Sequence, residues 1–179
     1  RRDLVRLGGF ASVGAVLAED FVLGRRFRQA GFGVRTVLDA VENRNVACSF
    51  RRTLERHTRW AKMRRAIVPE AFAIEILLTP VAVALVGAMV QPSRLSLGLV
   101  AATALLQMLG AALVVRRVRG VAFRPAYLLL EPVRAVVLQL CWLRAALSRE
   151  VDWRGHSFLL GPDSRLLPVN GASLVTDRA

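Results

Sequence analysis

The chain has 179 residues, of which 54% are hydrophobic, and it combines a formal net charge of +13 with a mean hydropathy of +0.42. Soluble globular domains are seldom this apolar and this basic together, so the composition favours a membrane protein with a basic cytoplasmic face. Nucleic-acid binding is a less favoured explanation of the positive charge. A dense run of basic residues directly precedes long apolar stretches, so we expect these residues to face lipid.

Arginine usage and cysteine spacing indicate the cellular setting. Among the 26 basic residues only Lys62 is a lysine, a bias typical of GC-rich bacterial genomes. Cys48 and Cys141 lie far apart and offer neither a disulfide framework nor metal-ligand spacing, so we expect a bacterial protein that faces the reduced cytoplasm. The opening "RRDLVRLGGF" has no signal-peptide core and no initial Met, and we expect a further part of the protein upstream.

The first part of the chain, residues 1–70, is dense in charge and predicts part of a mixed α/β domain. The stretch "DFVLGRRFRQAG" predicts a helix that ends at Gly31. The near alternation of apolar and polar residues in "VRTVLDAVE", from Val34 onward, predicts a strand with one exposed face.

A second helix is predicted from about Phe50 to Ile67. Ser49 is its candidate N-cap, and the apolar and weakly polar residues that follow recur at helical spacing. Pro69 marks the place where this helix should stop or bend.

Two uncharged stretches, 76–93 and 95–115, follow and are separated by a short turn. They predict a transmembrane hairpin with spans at about 74–93 and 95–115, because each is long enough to cross a bilayer. We assign 71–147 to the membrane region.

A third apolar segment, 126–147, is interrupted by charges that include Glu131 and Arg134. Charges are costly inside a bilayer, so the segment is a third span, a re-entrant element or an interfacial helix, and the sequence does not choose. The basic run 116–120 indicates a cytoplasmic loop by the positive-inside rule. Residues 148–179 form a C-terminal tail.

Two adjacent acids, Glu19 and Asp20, precede an apolar stretch rich in arginine. Acids at a helix start are favoured by the helix dipole and by exposed N–H groups, whereas a carboxylate in an open site can also act as a general base. The stretch alone leaves both interpretations open.

The densest cluster of basic residues is "SFRRTLERHTRWAKMRR", 49–65. In a helix Arg56, Arg59 and Trp60 share one face, since they are related by three and four positions. Such a face is suited to grip phosphate oxygens beside a stacking surface, or to lie on anionic lipid with Trp60 at headgroup level.

Several motifs, taken in order, resemble those of membrane glycosyltransferases. "RHTRW" fits the (Q/R)XXRW motif of processive and lipid-directed family 2-type enzymes, and it follows "LAEDF" at the place where such enzymes carry their third aspartate. With "RRDLVRLGGF" before them and "WAKMRRAIVP" and "VDWRGHSF" after, these motifs look most like ceramide glucosyltransferases and bacterial hopanoid-associated glycosyltransferases over about residues 1–160.

The resemblance implies a GT-A fold and inverting transfer from a nucleotide-sugar donor, such as UDP-glucose, to a lipid hydroxyl at the cytoplasmic face of the inner membrane. A divalent metal, Mg²⁺ or Mn²⁺, is expected in the complete enzyme. Asp20 matches the proposed general base, with Glu19 as a positioning or electrostatic neighbour. Arg56, Arg59 and Trp60 match the residues that hold the donor diphosphate and line the acceptor site.

The sequence departs from the family pattern in one respect. It contains neither a Gly-rich phosphate loop nor a DxD pair, so we expect the donor and metal ligands to lie outside this chain. Asp39 and Asp163 are isolated acids suited to surface or turn positions. We expect the 179-residue chain to be inactive alone. The alternatives are a polysaccharide synthase-like enzyme and a non-catalytic membrane scaffold with a basic lipid-binding face.

Other residues of types that can bind metals or ligands are best explained by packing. His57 occupies a variable position of the motif, and His156 has no metal-ligand partner at useful spacing. Trp142 and Trp153 are suited to packing or to a membrane interface.

Overall fold

The computed structural model describes residues 1–35, 37, 47–120, 124–153 and 155–169. These residues are mostly helical, with one small antiparallel sheet. The helices are α1 Arg2–Arg6, α2 Glu19–Gln29, α3 Phe50–Ile67, α4 Pro69–Ile74, α5 Pro80–Val90, α6 Arg94–Arg119, α7 Pro125–Leu128 and α8 Glu131–Leu147. The strands are β1 Glu150–Trp153, β2 His156–Leu160 and β3 Leu166–Pro168, in the order β1-β2-β3, and short 3-10 turns lie at Phe10–Val13, Glu75–Leu78 and Pro162–Ser164.

Helix α2 ends in a Schellman motif, close to the predicted position. Gly31 adopts the left-handed conformation, with φ +84°, directly after the C-cap. The Phe32 N–H donates to the Phe27 carbonyl at 3.0 Å, and the rings of these two residues meet edge to face at 5.4 Å. The left-handed glycine and the apolar contact together define the end of the helix.

The sheet is not where the sequence pattern placed a strand. Most of the predicted strand from Val34 lies outside the described residues, and so does Asp39. The described sheet is formed instead by three short strands of the C-terminal tail. The α/β prediction is therefore met only in part, because strands of three to five residues carry too few alternations to be recognised in a sequence.

Helix α3 matches its prediction. It runs from Phe50 to Ile67, and the Ser49 hydroxyl accepts the Arg52 N–H at 3.3 Å as an N-cap. Pro69 begins a second helix, α4, at its first position, where the missing N–H costs nothing.

The first predicted span is bent. Pro69–Leu78 and Pro80–Val90 meet at 66°, on either side of Thr79. A proline disfavours the helical conformation of the preceding residue, and Thr79 has φ −117° and ψ 66°. The expectation of a continuous helix fails at this point.

Within the described part of the chain, two helical segments are long and apolar enough to cross a membrane, Arg94–Arg119 and Pro125–Leu147. The bent pair would be a third if it is one span. Helix α6 overlaps the second predicted span. A capping box of Ser93 and Ser96 starts it, and Gly120, with φ +68°, ends it. Both ends are therefore defined by local sequence signals.

Helix α8 packs against α3 and α4. Ala61, Phe72 and Ala145 form a buried cluster, with Trp142 against it. The Trp142 indole stacks on the Phe72 ring at 4.8 Å, and its Nε1–H donates to the Phe72 carbonyl at 2.8 Å. One face of the basic helix α3 is thus covered by the third apolar segment.

The small sheet covers another part of α3 and the approach to α2. The buried cluster here consists of one residue from before α2 and four from the sheet: Leu17, Val151, Phe158, Leu160 and Leu166. Met63, Ala66 and Trp153 pack against it. The C-terminal tail therefore joins the start of α2 to α3.

Candidate functional site

The two predicted acids occupy the first turn of α2. Glu19 and Asp20 are exposed, whereas Leu17 and Ala18 immediately before them are buried. One Asp20 carboxylate oxygen accepts the Phe21 N–H at 2.7 Å. Asp20 thus makes a helix-start contact while its side chain stays exposed, so the two predicted roles are compatible.

The predicted basic face of α3 is present, but its members stack on different rings. The Arg56 guanidinium lies over Trp60, 5.5 Å from the ring centroid, as helical spacing predicts. The Arg59 guanidinium lies over Trp153 of β1 instead, at 5.1 Å. Both contacts are within cation–π range, so each of the two guanidinium groups lies against an aromatic ring. The Trp153 contact has no local sequence signal, because it joins distant parts of the chain.

A cavity of about 340 Å³ opens beside this face. Its lining includes the guanidinium-bearing residues Arg52, Arg56 and Arg59 together with Glu55. Glu55 is paired with Arg51 at 2.8 Å on the exposed side of the helix. Arg51 does not line the cavity, and its ion pair neutralises the charge of Glu55. The cavity therefore keeps an excess of positive charge, which suits a phosphate or diphosphate.

A second cavity, of about 160 Å³, shares the lining residues Glu55 and Arg59 with the first. Its far side is formed by α8 and β1 residues that include Arg144 and Asp152. Neither cavity is lined by Glu19 or Asp20. The tail sheet packs on Leu17, three residues before Asp20, and its Trp153 lies against Arg59.

Lys62 is a buried cation that sequence reasoning did not select. Its Nζ donates to the Glu150 carbonyl and, at 3.4 Å, to the Ser148 hydroxyl, and so holds the end of α8 against α3. Burial, with a smaller contribution from Arg144, lowers the Lys62 pKa from 10.5, while the acids Glu150 and Asp152 act in the opposite direction. The sequence signal that could have identified Lys62 is that it is the only lysine in the sequence.

His57 packs edge to face on Trp60 at 5.4 Å. Burial is the main cause that lowers its pKa from 6.5, and the neighbouring guanidinium groups of Arg56, Arg134 and Arg64 add to it. His57 is therefore a packing residue that is kept neutral.

The described residues contain no group of three or more His, Cys, Asp or Glu side chains that could hold a metal ion. The carboxylates and arginines above do not form a donor set for Mg²⁺ or Mn²⁺.

Asp163, predicted to occupy a turn, does so and pairs with Arg25 of α2 at 2.6 Å.

Comparison with known families decides the class of the protein. The profile of Glycosyl transferase family 21 matches residues 1–166. The chain belongs to this family. The resemblance to ceramide glucosyltransferases is thereby confirmed, and family 21 membership implies glycosyltransferase activity with a sugar donor and an acceptor. No curated protein and no solved structure matches the chain.

The family 21 match covers every predicted site residue and extends to the first residue of β3. It therefore includes both the acidic start of α2 and the tail that packs against it. Metal use is typical of family 21 enzymes.

Proposed function

We propose that this family 21 chain forms the acceptor side and the membrane anchor of an inverting glycosyltransferase that moves a hexose-type sugar from a nucleotide-sugar donor to a lipid hydroxyl. One observation carries the proposal: the guanidinium-lined cavity lies on a helix that packs directly against α8, which is part of the apolar segment Pro125–Leu147. A diphosphate site and a lipid phase thus meet at α3. Ceramide or a hopanoid is the acceptor class that we favour.

In this mechanism Asp20 acts as the general base. The acceptor oxygen forms a bond to the anomeric carbon while the bond from that carbon to the diphosphate oxygen breaks. The hydroxyl proton passes to the Asp20 carboxylate, and the nucleoside diphosphate leaves with the bonding electron pair. A hydroxyl needs such a positioned base because it is otherwise a weak nucleophile. Glu19 adds negative charge beside the base and orients the acceptor.

The arginines stabilise the leaving group. Negative charge grows on the diphosphate as the bond breaks, and the forks of Arg56 and Arg59 are held on aromatic rings beside the cavity. Pre-positioned cations cost little reorganisation at the moment of transfer. Trp60, half exposed, then offers a surface for the sugar or the lipid headgroup.

We place the protein in the bacterial inner membrane with its catalytic part on the cytoplasmic side. Residues 1–70 are proposed as the acceptor part of a GT-A domain, 71–147 as the membrane region and 148–179 as the tail. The donor-binding half and the metal ligands are proposed to lie in a part of the protein outside these 179 residues.

The test is turnover by the complete transferase in lipid nanodiscs, with UDP-glucose and UDP-N-acetylglucosamine as donors and ceramide and hopanoid lipids as acceptors. Asp20→Asn should lower kcat by about 10²- to 10⁴-fold, because a general base contributes that much. Glu19→Gln should lower kcat less, because Glu19 orients the acceptor but does not take the proton. Glu70→Gln, at the exposed start of α4, is the control and should keep the activity.

An Asp20→Asn enzyme with wild-type turnover would refute the base assignment. Membrane association without sugar transfer to any acceptor would favour a scaffold instead. Extension of an existing sugar chain, with no transfer to lipid, would favour a polysaccharide synthase.

A further inference from the structure

The C-terminal turn Pro162–Ser164 and the residues after it contact the segment that leads into α2. Arg165 forms an isolated antiparallel bridge with Val16. The Leu166 N–H donates to the Ala15 carbonyl at 2.8 Å. The tail is therefore paired, backbone to backbone, with the residues that precede the two acids.

Ser164 makes the most buried of these contacts. It has no exposed surface, its carbonyl accepts the Leu17 N–H at 3.0 Å, and its hydroxyl accepts the Ala18 N–H at 3.0 Å. Ala18 is itself 3% exposed. Removal of the hydroxyl would leave a buried N–H without its partner, which the fold can correct only by moving the segment.

The N-cap position of α2 supplies no side-chain hydrogen bond. Its N-cap residue is Ala18, whose side chain has no oxygen to accept a hydrogen bond. The direction in which the chain enters the helix is consequently set by Ser164, which lies 146 residues further along the chain. Asp20 follows two residues after the N-cap and depends on this direction.

The turn itself adopts a conformation that most residues avoid. Asp163 and Ser164 have φ of 54° and 57°, in the left-handed region, and neither is glycine. Such a conformation persists only where the surroundings fix it. Asp163 is paired with Arg25, further along α2, so the turn holds the helix at two separate points.

We propose that Ser164 is a positioning residue for Asp20, with the turn Pro162–Ser164 as its support. This inference rests on the proposed function, because it assumes that Asp20 takes the acceptor proton. A base that is displaced by a fraction of an ångström loses the aligned hydrogen bond on which proton transfer depends. Donor binding on α3 does not depend on that alignment.

The test uses Ser164→Ala in the complete transferase in nanodiscs. We expect kcat to fall about 10-fold while the donor KM stays within about twofold, since only the alignment of the base is lost. Hydrogen exchange at the Leu17 and Ala18 amides should accelerate. Ser157→Ala is the matched control, because the exposed Ser157 hydroxyl donates to Asp152 at 2.7 Å on the same sheet, and it should leave both readouts unchanged.

Two further variants keep the test informative. Ser164→Gly also removes the hydroxyl but accepts the left-handed φ without strain, so it replaces Ser164→Ala if that variant folds poorly. It should show the same loss of kcat. Asp163→Asn removes the second, partly exposed anchor of the turn and should therefore lower kcat less than either Ser164 variant does.

The outcomes separate this inference from the proposed function. A large kcat loss in Asp20→Asn with wild-type kcat in both Ser164 variants would overturn the positioning role alone. A donor KM that rises in step with the fall in kcat would also overturn it, because general loosening of the site would then explain the data. Wild-type kcat in Asp20→Asn would overturn both proposals.

Discussion

The stacking of Arg59 on Trp153 gives the sharpest quantitative prediction about the arginine face. The guanidinium lies 5.1 Å from the ring centroid, and Trp153 also packs against the tail core. Trp153→Leu removes the aromatic face and keeps an apolar side chain in that core. We expect the Arg59 fork to lose its fixed orientation beside the cavity while the sheet remains folded.

The size of the loss in kcat/KM follows from the contact that each variant removes. A partly exposed cation–π pair contributes about 1 kcal/mol, so Trp153→Leu should lower kcat/KM for the donor about fivefold. Arg59→Ala removes the fork itself. A charge-assisted hydrogen bond to phosphate is worth about 1.5–3 kcal/mol, so this variant should lose about 10- to 150-fold.

The assay is a double-mutant cycle on kcat/KM in nanodiscs, with unfolding temperatures measured in parallel. If Trp153 acts through Arg59, then Trp153→Leu has no further effect in the Arg59→Ala background, and the coupling energy is about 1 kcal/mol. Trp153→Phe, which keeps an aromatic face, should lose less than Trp153→Leu. Losses that simply add in the double variant would refute the reasoning, because the tryptophan would then act independently of the arginine.

Three other measurements test the packing around this site. Trp142→Phe keeps the stack on Phe72 but loses the indole hydrogen bond, and should cost about 1 kcal/mol in detergent unfolding, against about 3–5 kcal/mol for Trp142→Ala; equal losses would contradict a separate hydrogen-bond contribution. Because the His57 pKa is lowered in the folded state, the unfolded chain binds more protons just below pH 6.5, so stability should fall as the pH is lowered through that range. His57→Gln should flatten this dependence, and an unchanged slope would assign it to other groups. Ser157→Cys in intact cells should resist impermeant thiol reagents added from outside, since the tail packs against the catalytic part; labelling from outside would contradict this.

The elements that the sequence predicts well are those with complete local signals. Ser49 caps α3 and Gly31 closes α2, as predicted. Ser93 and Gly120 are local signals for the ends of α6 that the hydropathy-based prediction did not use. The bend at Thr79 also has a local cause in Pro80, but the apolar run around it conceals that signal when only hydropathy is considered.

The tail and its contacts could not be predicted in this way. Its strands are short, and the partners of Arg59 and Ala18 lie in the tail, far along the chain. Helical spacing correctly predicted that Arg56 and Trp60 meet, and it could not show that Arg59 turns to a different ring. The catalytic roles of the predicted site residues stay predictions.

The tail contacts also limit how the chain can cross the membrane. The sheet packs on Leu17 and on Met63 of α3, so the residues before the apolar region and those after it lie on the same side. We therefore propose an even number of crossings between them, two of the up to three candidate spans. Two crossings by the bent pair and α6 keep the basic run 116–120 in the cytoplasm, as the positive-inside rule requires, whereas crossings by α6 and α8 would place it outside. Helix α8 is therefore best explained as an element that enters from the cytoplasmic side and holds α3 at the membrane surface.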